Sequence, residues 1–287
     1  MTFVIPVHNR RHFTRACLEA LRAQTDRGFR TIIIDDGSED GTGQMIRDGF
    51  PEVDLLRGDG SLWWAEATNA GVRRALAAGG GPVVCLNDDT VPSTDFVARL
   101  RESMERHPDT LISASAVDIA TGAPLSGGER VNWLLASHTS LIGEASDVVE
   151  VTHAQGRGLL IPETAFASIG LFDSRRFPHY AADYDFTHRA RRAGFRIICD
   201  RNVRLQAYPE ASGDAQNLIQ RSWRNYGRHL FGRRGGGNLA VFLRYAMRNC
   251  PWPLLPACLA VGLARRIFGY PLHWMLHTLR PVKEGAA

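Results

Sequence analysis

A single lysine, Lys283, stands beside 33 arginines in this chain of 287 residues. The skew reads as compositional bias, so arginine identity says little here while the position of charge still counts. Cysteine is also scarce. Cys17, Cys85, Cys199, Cys250 and Cys258 are odd in number, widely spaced and without a C-x-x-C pair, which argues against zinc ribbons and disulfide frameworks and for reduced thiols. Long hydrophobic runs are missing too. The apolar stretch Leu254–Ala264 has 11 residues before Arg265-Arg266, whereas a membrane-spanning helix needs about 20. The opening Met1–Val7 run is too short for a signal peptide and meets His8-Asn9-Arg10-Arg11 at once, so a cytoplasmic protein is expected. There is no internal repeat, no motif for a Ser-His-Asp or Cys-His nucleophile, and no nucleic-acid motif.

What remains is an ordinary globular composition, 44% apolar and 22% charged, long enough to bury a core without staples. The net charge of +4 is unevenly spread. From Leu218 onward eleven basic residues face one acid, Glu284, so that segment carries +10 and the first 217 residues carry −6. A mildly acidic body with a basic tail suits an anionic partner for the tail.

Strand and helix signals alternate through the first half. Thr2–Val7, Thr31–Ile34, Val53–Leu56, Pro82–Leu86 and Leu111–Val117 read as strands, several of them continuous β-branched or apolar runs of the kind buried on both faces. Between them lie helical patterns: one with Phe13, Cys17 and Leu21 on one face, one at Glu66–Ala78 closed by glycines, and one with Phe96, Leu100 and Met104. This series predicts a mainly parallel, doubly wound sheet. Residues 118–150 lack period and read as loops or an antiparallel excursion. Order returns at Val151–Pro162, a helix is expected over Phe186–Ala193, and Arg196–Cys199 reads as a last short strand. The expected division is a catalytic region over 1–214 and a basic, partly apolar helical extension over 215–287, broken by Gly235-Gly236-Gly237 and by Pro251, Pro253 and Pro256.

Ligands of open α/β sheets bind beyond the carboxyl ends of the strands, and two acidic clusters fall there. Asp35-Asp36-Gly37-Ser38 follows the second strand; Asn87-Asp88-Asp89 follows the fourth. The first could hydrogen-bond a ribose or base, and the second could hold a divalent cation shared with substrate phosphates. Each alone is equally a capped turn. A third cluster, His179-Tyr180-Ala181-Ala182-Asp183-Tyr184-Asp185-Phe186, leads into a helix. Asp183 there either caps the helix or takes a proton from a hydroxyl nucleophile. Three clusters together favour function.

The chain resembles the family 2 glycosyltransferases of GT-A fold, close to a bacterial rhamnosyltransferase-like branch. The resemblance rests on Val4-Ile5-Pro6-Val7-His8-Asn9-Arg10, Ile34-Asp35-Asp36-Gly37-Ser38, Asn69-Ala70-Gly71, Leu86-Asn87-Asp88-Asp89, Gly156-Arg157-Gly158-Leu159, Ile169-Gly170-Leu171-Phe172-Asp173 and Asp183-Tyr184-Asp185-Phe186, in family order from residue 3 to about 200. It implies a GT-A, Rossmann-like α/β fold: a mixed, mainly parallel sheet flanked by helices. It implies nucleotide contacts at Pro6, Val7, Asp35, Asp36, Asn69 and Asp88, with Asp89 ligating Mn²⁺ or Mg²⁺. It also implies Asp183 as general base in an inverting transfer from a UDP-, dTDP- or GDP-sugar to a glycan or lipid-linked acceptor. Asn87 stands where many members have an acid, Ala182 where a Glu is usual, and Gln206 lies nearest to the place of a common His.

Trp63, Trp64, Arg157, Gly158 and Asp185 are further candidates for contact with donor or acceptor sugar. Core packing is the commoner use of adjacent aromatics, and the Gly-Arg-Gly segment could equally be a β-bulge. His179 and His188 read as structural or solvated. The tail, with Trp223, Tyr226, Leu230, Phe231, Trp252 and Trp274 among its arginines, suits either the surface of an anionic membrane at the inner face or packing on the catalytic region or in a homodimer. Two rival readings remain: a nucleotidyltransferase, which should carry a glycine-rich basic loop after the first strand where this chain has Pro6-Val7-His8-Asn9, and a catalytically silent relative that binds nucleotide sugar or scaffolds at a membrane.

Overall fold

Strand β1 (Thr2–Val7) carries TFVIPV and β2 (Arg30–Asp35) carries RTIIID. Both pack apolar side chains on each face, and they pair in parallel from Thr2 opposite Arg30 to Val7 opposite Asp35. The computed structural model describes residues 1–211 and 222–278 of the chain. Around the first pair, β3 (Asp54–Arg57) joins β2 and β4 (Val83–Cys85) joins β1, both in parallel. Helix α1 (Arg11–Arg22) turns Thr14, Cys17, Leu18 and Leu21 inward, and α3 (Trp63–Ala77) buries Ala67, Gly71 and Val72. Between them α2 (Thr42–Gly49) buries Met45 and Ile46. After β4 come β5 (Thr90–Pro92), α4 (Phe96–Arg106) and β6 (Leu111–Asp118).

The irregular middle is an antiparallel excursion. It holds β7 (Pro124–Ser126), β8 (Glu129–Asn132), β9 (Ser137–Ser140) and β10 (Val148–Glu150), with β8 and β9 forming their own two-stranded sheet. Then β11 (Leu159–Ile161) inserts antiparallel between β4 and β6. Helices α5 (Glu163–Ile169) and α6 (Ala182–Arg192) follow, and β12 (Ile197–Ala207) lies parallel to β6. The main sheet runs β10-β12-β6-β11-β4-β1-β2-β3. It is a mostly parallel central sheet flanked by helices, as the alternating pattern predicts.

Several boundaries differ from expectation. The last strand is not short: β12 continues to Ala207 through a bulge between Asp200 and Arg204. Past the bulge it alternates buried Val203, Leu205 and Ala207 with exposed Arg204 and Gln206, a period-2 pattern that a search for apolar runs passes over. Helix α6 starts at Ala182 rather than Phe186, and α3 at Trp63 rather than Glu66.

The chain divides into two compact units, one of residues 1–131 and 138–209, the other of 132–137 with 210 onward. The second contains α7 (Trp223–Phe231), α8 (Leu239–Asn249) and α9 (Leu255–Thr278). Its core joins Phe242, Ala246, Cys250 and Cys258 with Trp133, Leu255 and Leu259, and the Arg266 guanidinium lies 3.8 Å above the Phe242 ring. Tyr226 Oη donates to the Ile267 carbonyl at 2.7 Å, tying α7 to α9. Pro256 does not break the chain as expected; it sits in the first turn of α9, where a missing N–H costs nothing. Among the described residues no helix is long and apolar enough to cross a membrane. The expected boundary at 214/215, the start of the basic segment at Leu218, Arg221 within it, and Arg280, Lys283 and Glu284 lie outside the described residues.

Candidate active site

The site is built on the carboxyl ends of β1, β2 and β4. Val7 is core, and its carbonyl accepts the Asp36 N–H at 2.9 Å; Pro6 pairs with Ile34 one step earlier. Asp35 Oδ1 accepts the Ser38 N–H at 2.9 Å, closing the turn after β2.

Asp36 has a different job. Its Oδ1 accepts from Gly60 N at 2.9 Å and Leu62 N at 3.3 Å, and its Oδ2 accepts from Trp63 N at 3.0 Å. The carboxylate thereby satisfies the amides that begin α3. Hydrogen bonds of this charged kind are worth about 1.5–3 kcal/mol each. They hold Trp63 at φ +58°, a left-handed conformation that costs a non-glycine residue about 1–3 kcal/mol. This accounts for the early start of the helix.

On the next strand end, Asp88 and Asp89 share one guanidinium. Arg10 Nη1 lies 3.1 Å from Asp88 Oδ1 and 3.0 Å from Asp89 Oδ2. Thr14 Oγ1 donates to Asp88 Oδ2 at 3.3 Å. Burial pushes the Asp88 carboxyl up to about 7, against the opposing pull of Arg10. Asp89 is buried as well, and its Oδ1 has no hydrogen-bond partner. A buried, unpartnered carboxylate oxygen is costly unless a cation or donor meets it, so the residues at this strand end fit a hard divalent ion. Asn87 is not turned toward such an ion, because its Oδ1 accepts the Trp64 indole N–H at 2.9 Å. Exposed Gln206 lies on β12 opposite Val91.

Asp183 occupies the first turn of α6. Its Oδ2 accepts from Gly156 N at 2.8 Å and its Oδ1 from its neighbour Tyr184 N at 2.9 Å. Burial raises its pKa above the ordinary carboxylate range, opposed by those two amides and by the Arg157 charge. Ala182 beside it is completely buried, so the place of the usual Glu is here a packing position. Arg157 Nε is buried without a hydrogen-bond partner.

The adjacent tryptophans connect the three clusters. Trp63 N–H binds Asp36, Trp64 Nε1–H binds Asn87, and a Cβ on Gly156 would run into the six-membered ring of the Trp64 indole. Gly156 in turn donates to Asp183. One dipeptide therefore touches the turn after β2, the loop after β4 and the segment seating Asp183. Three of the five non-glycine residues with positive φ among the described residues (Asn9, Trp63 and Ala181) flank these groups.

Other candidates go elsewhere. Asn69 places its side-chain amide on the Phe172 backbone, donating at 2.9 Å and accepting at 3.0 Å, an anchor between α3 and residue 172. Asp185 is fully buried and pairs with Arg189 at 3.0 Å. Gly158, at φ +71°, lies with Ala114 Cβ and the Leu205 side chain within 3 Å of where a Cβ would stand. Its N–H donates to the Cys85 carbonyl, and its own carbonyl accepts from Ala114 N. Its role is to let the sheet close. Arg10, Thr14 and the imidazole of His8, whose Nδ1 lies 2.6 Å from the Asp36 carbonyl, also join the site. No local spacing signals them, since their partners lie 28 to 79 positions away.

Comparison with solved structures identifies the architecture. The crystal structure of S. aureus TarS superposes with TM-score 0.61 at 14% identity, over 94% of this chain and 53% of that one. The mannosyltransferase PcManGT from Pyrobaculum calidifontis, in complex with GDP-Man and Mn²⁺, gives 0.60 at 17% identity, over 99% and 76%. A TarS 1–349 structure in complex with UDP gives 0.55 at 15% identity, over 100% and 94%. The fold is therefore that of the GT-A glycosyltransferases. Residues 2–135 match the profile described as Glycosyl transferase family 2. Curated relatives include the glycosyltransferase GlyA of Streptococcus pneumoniae, 28% identical over 105 residues, and an uncharacterized glycosyltransferase of Haemophilus influenzae, 28% identical over 109. The matched segment is 35% and 38% of this chain, but it spans only 14% and 36% of those two proteins.

Proposed function

We propose that the chain moves a sugar from a nucleoside-diphosphate donor to a hydroxyl of a glycan or lipid-linked polysaccharide precursor, with inversion at the anomeric carbon. The observation that carries this is the tryptophan pair, which hydrogen-bonds the turn after β2 and the loop after β4 and packs on the glycine that donates to Asp183. GDP-Man, UDP and Mn²⁺ in the complexes of structural neighbours support the donor class and a divalent ion.

In this reading Asp183 takes the proton of the acceptor hydroxyl. The oxygen attacks the anomeric carbon as the bond to the diphosphate oxygen breaks, and one displacement inverts the centre. Asp89, through Oδ1, would hold Mn²⁺ or Mg²⁺; when bound, the ion neutralises charge on the departing diphosphate. Arg157, whose charge reaches Asp183 and whose Nε is unpartnered, adds a positive group on the same side. Asp35 and the Pro6–Val7 strand end form the floor beneath base and ribose.

A thermal-shift panel tests the donor class. One of uridine, deoxythymidine or guanosine diphosphate, or its sugar, should raise Tm with Mn²⁺ present. Ligand at 100 times Kd stabilises by about 2.7 kcal/mol, a shift of several degrees for a chain of this size. A flat response to every nucleotide, with and without the ion, would reject the reading.

The second unit supports membrane-surface contact. Trp252, Phe231 and Trp223 are 83%, 72% and 70% exposed, an uncommon surface for side chains of that size, and they share the unit with most of the basic tail. Trp223→Ala with Trp252→Ala should reduce co-sedimentation with anionic vesicles about tenfold or more, and added salt should weaken it further. Unchanged sedimentation of the double variant counts against the surface role and leaves helix packing or a homodimer as the use of these residues.

A further inference from the structure

The transfer reading leaves one cluster unused. Glu129 opens β8, His138 lies on β9, and His153 faces Glu129 through an isolated antiparallel bridge. Three ligand atoms converge there. His138 Nδ1 is 3.1 Å from Glu129 Oε2, His153 Nε2 is 3.2 Å from His138 Nδ1, and His153 Nε2 is 3.4 Å from Glu129 Oε2.

That near-equilateral triangle has the dimensions of one face of a zinc tetrahedron. Bonds of about 2.0–2.1 Å to nitrogen and oxygen separate ligand atoms by roughly 3.3–3.4 Å. The surroundings have the features of a ligand shell. Thr152 Oγ1 lies 2.8 Å from His153 Nδ1 while also accepting the Val131 N–H at 2.8 Å. This outer partner fixes the ring and points Nε2 at the cluster. The Tyr184 ring packs on both imidazoles, at 4.4 Å from His153 and 5.2 Å from His138. A cavity of about 20 Å³, lined by Glu129, His153, Arg157 and Gly128 among others, adjoins the triangle. It has room for one water, the usual fourth ligand when a protein supplies three.

We propose that Glu129, His138 and His153 form a second metal site, for a borderline divalent ion of the zinc kind. Two imidazoles and one carboxylate suit zinc, whereas the oxygen-only environment at Asp89 suits magnesium or manganese. The two sites thus differ in the ion each selects. The zinc site ties the β8–β9 hairpin to the start of the segment that carries Gly156 and Arg157. It does not depend on the transfer reading.

The test uses the full chain, stripped with chelator and titrated with Zn²⁺ in competition with a chromogenic chelator, then with Co²⁺ for its absorption. Wild type should take up one equivalent at micromolar affinity or tighter, with the intense d–d band of tetrahedral cobalt. His138→Ala, at a partly exposed side chain, and Glu129→Gln should each weaken binding at least about tenfold. Asp89→Asn should leave it unchanged. The proposal is overturned by full-strength binding in His138→Ala or Glu129→Gln, by loss of the site in Asp89→Asn, by an octahedral cobalt spectrum, or by no uptake in wild type at millimolar Zn²⁺.

Discussion

Asp183→Asn is expected to lower sugar transfer by about 10²- to 10⁴-fold, the usual worth of a positioned general base, while nucleotide binding survives. The substitution keeps shape but removes the group that accepts the acceptor's proton. It also turns an amide NH₂ toward one of the two backbone N–H groups, of Gly156 or Tyr184, that the carboxylate now satisfies, at a cost of about 1–3 kcal/mol. Melting temperature and donor affinity are therefore measured alongside turnover. Turnover within threefold of wild type, in a folded variant that still binds donor, removes Asp183 from the role.

The pH profile carries the sign of the same assignment. The base works only when ionised, so kcat/KM rises with pH through the Asp183 pKa and levels above it. Burial moves that pKa upward, so the acid limb should lie above the ordinary Asp value of about 3.9. Arg157→Met removes a positive charge that opposes the shift and should move the limb higher still. An acid limb unmoved by that change would disconnect Arg157 from the base.

Asp89→Ala should weaken nucleoside-diphosphate binding by about 30- to 1,000-fold with Mn²⁺ present, corresponding to roughly 2–4 kcal/mol of lost cation-mediated attraction. With chelator the loss should be small. The fold should tolerate the change, because Arg10 keeps Asp88 as its ion-pair partner at 3.1 Å and no buried charge is stranded. Calorimetric titration in the two media decides. An equal loss in both would show that Asp89 contacts the nucleotide directly and holds no ion.

The legible parts of the sequence are those where local pattern and tertiary demand agree. β1, β2 and β4 are parallel strands buried on both faces, so they read as unbroken apolar runs. The aspartates at their ends stand out because nothing else polar interrupts such a strand. α2 is not legible: eight residues containing Gly43 and Gly49, with only Met45 and Ile46 as buried apolar side chains, give too little period. β12 loses its continuous apolar run at its bulge. At the site, Asp36 reads as a ligand-facing acid, yet its oxygens are consumed by amides 24 to 27 positions away. Asp183 and Asp185 look alike in the chain, and only helical rotation sends one toward Gly156 and the other to Arg189. The Glu129, His138 and His153 cluster has no motif, since its members meet through hairpin pairing rather than through spacing.

Neither flank of the Trp63–Trp64 pair is mechanically independent. The indole hydrogen-bonded to Asn87 in the loop after β4 is the same ring that is wedged against Gly156, whose N–H binds Asp183. Any coupling that a ligand transmits through this wedge would, by thermodynamic reciprocity, act equally in both directions.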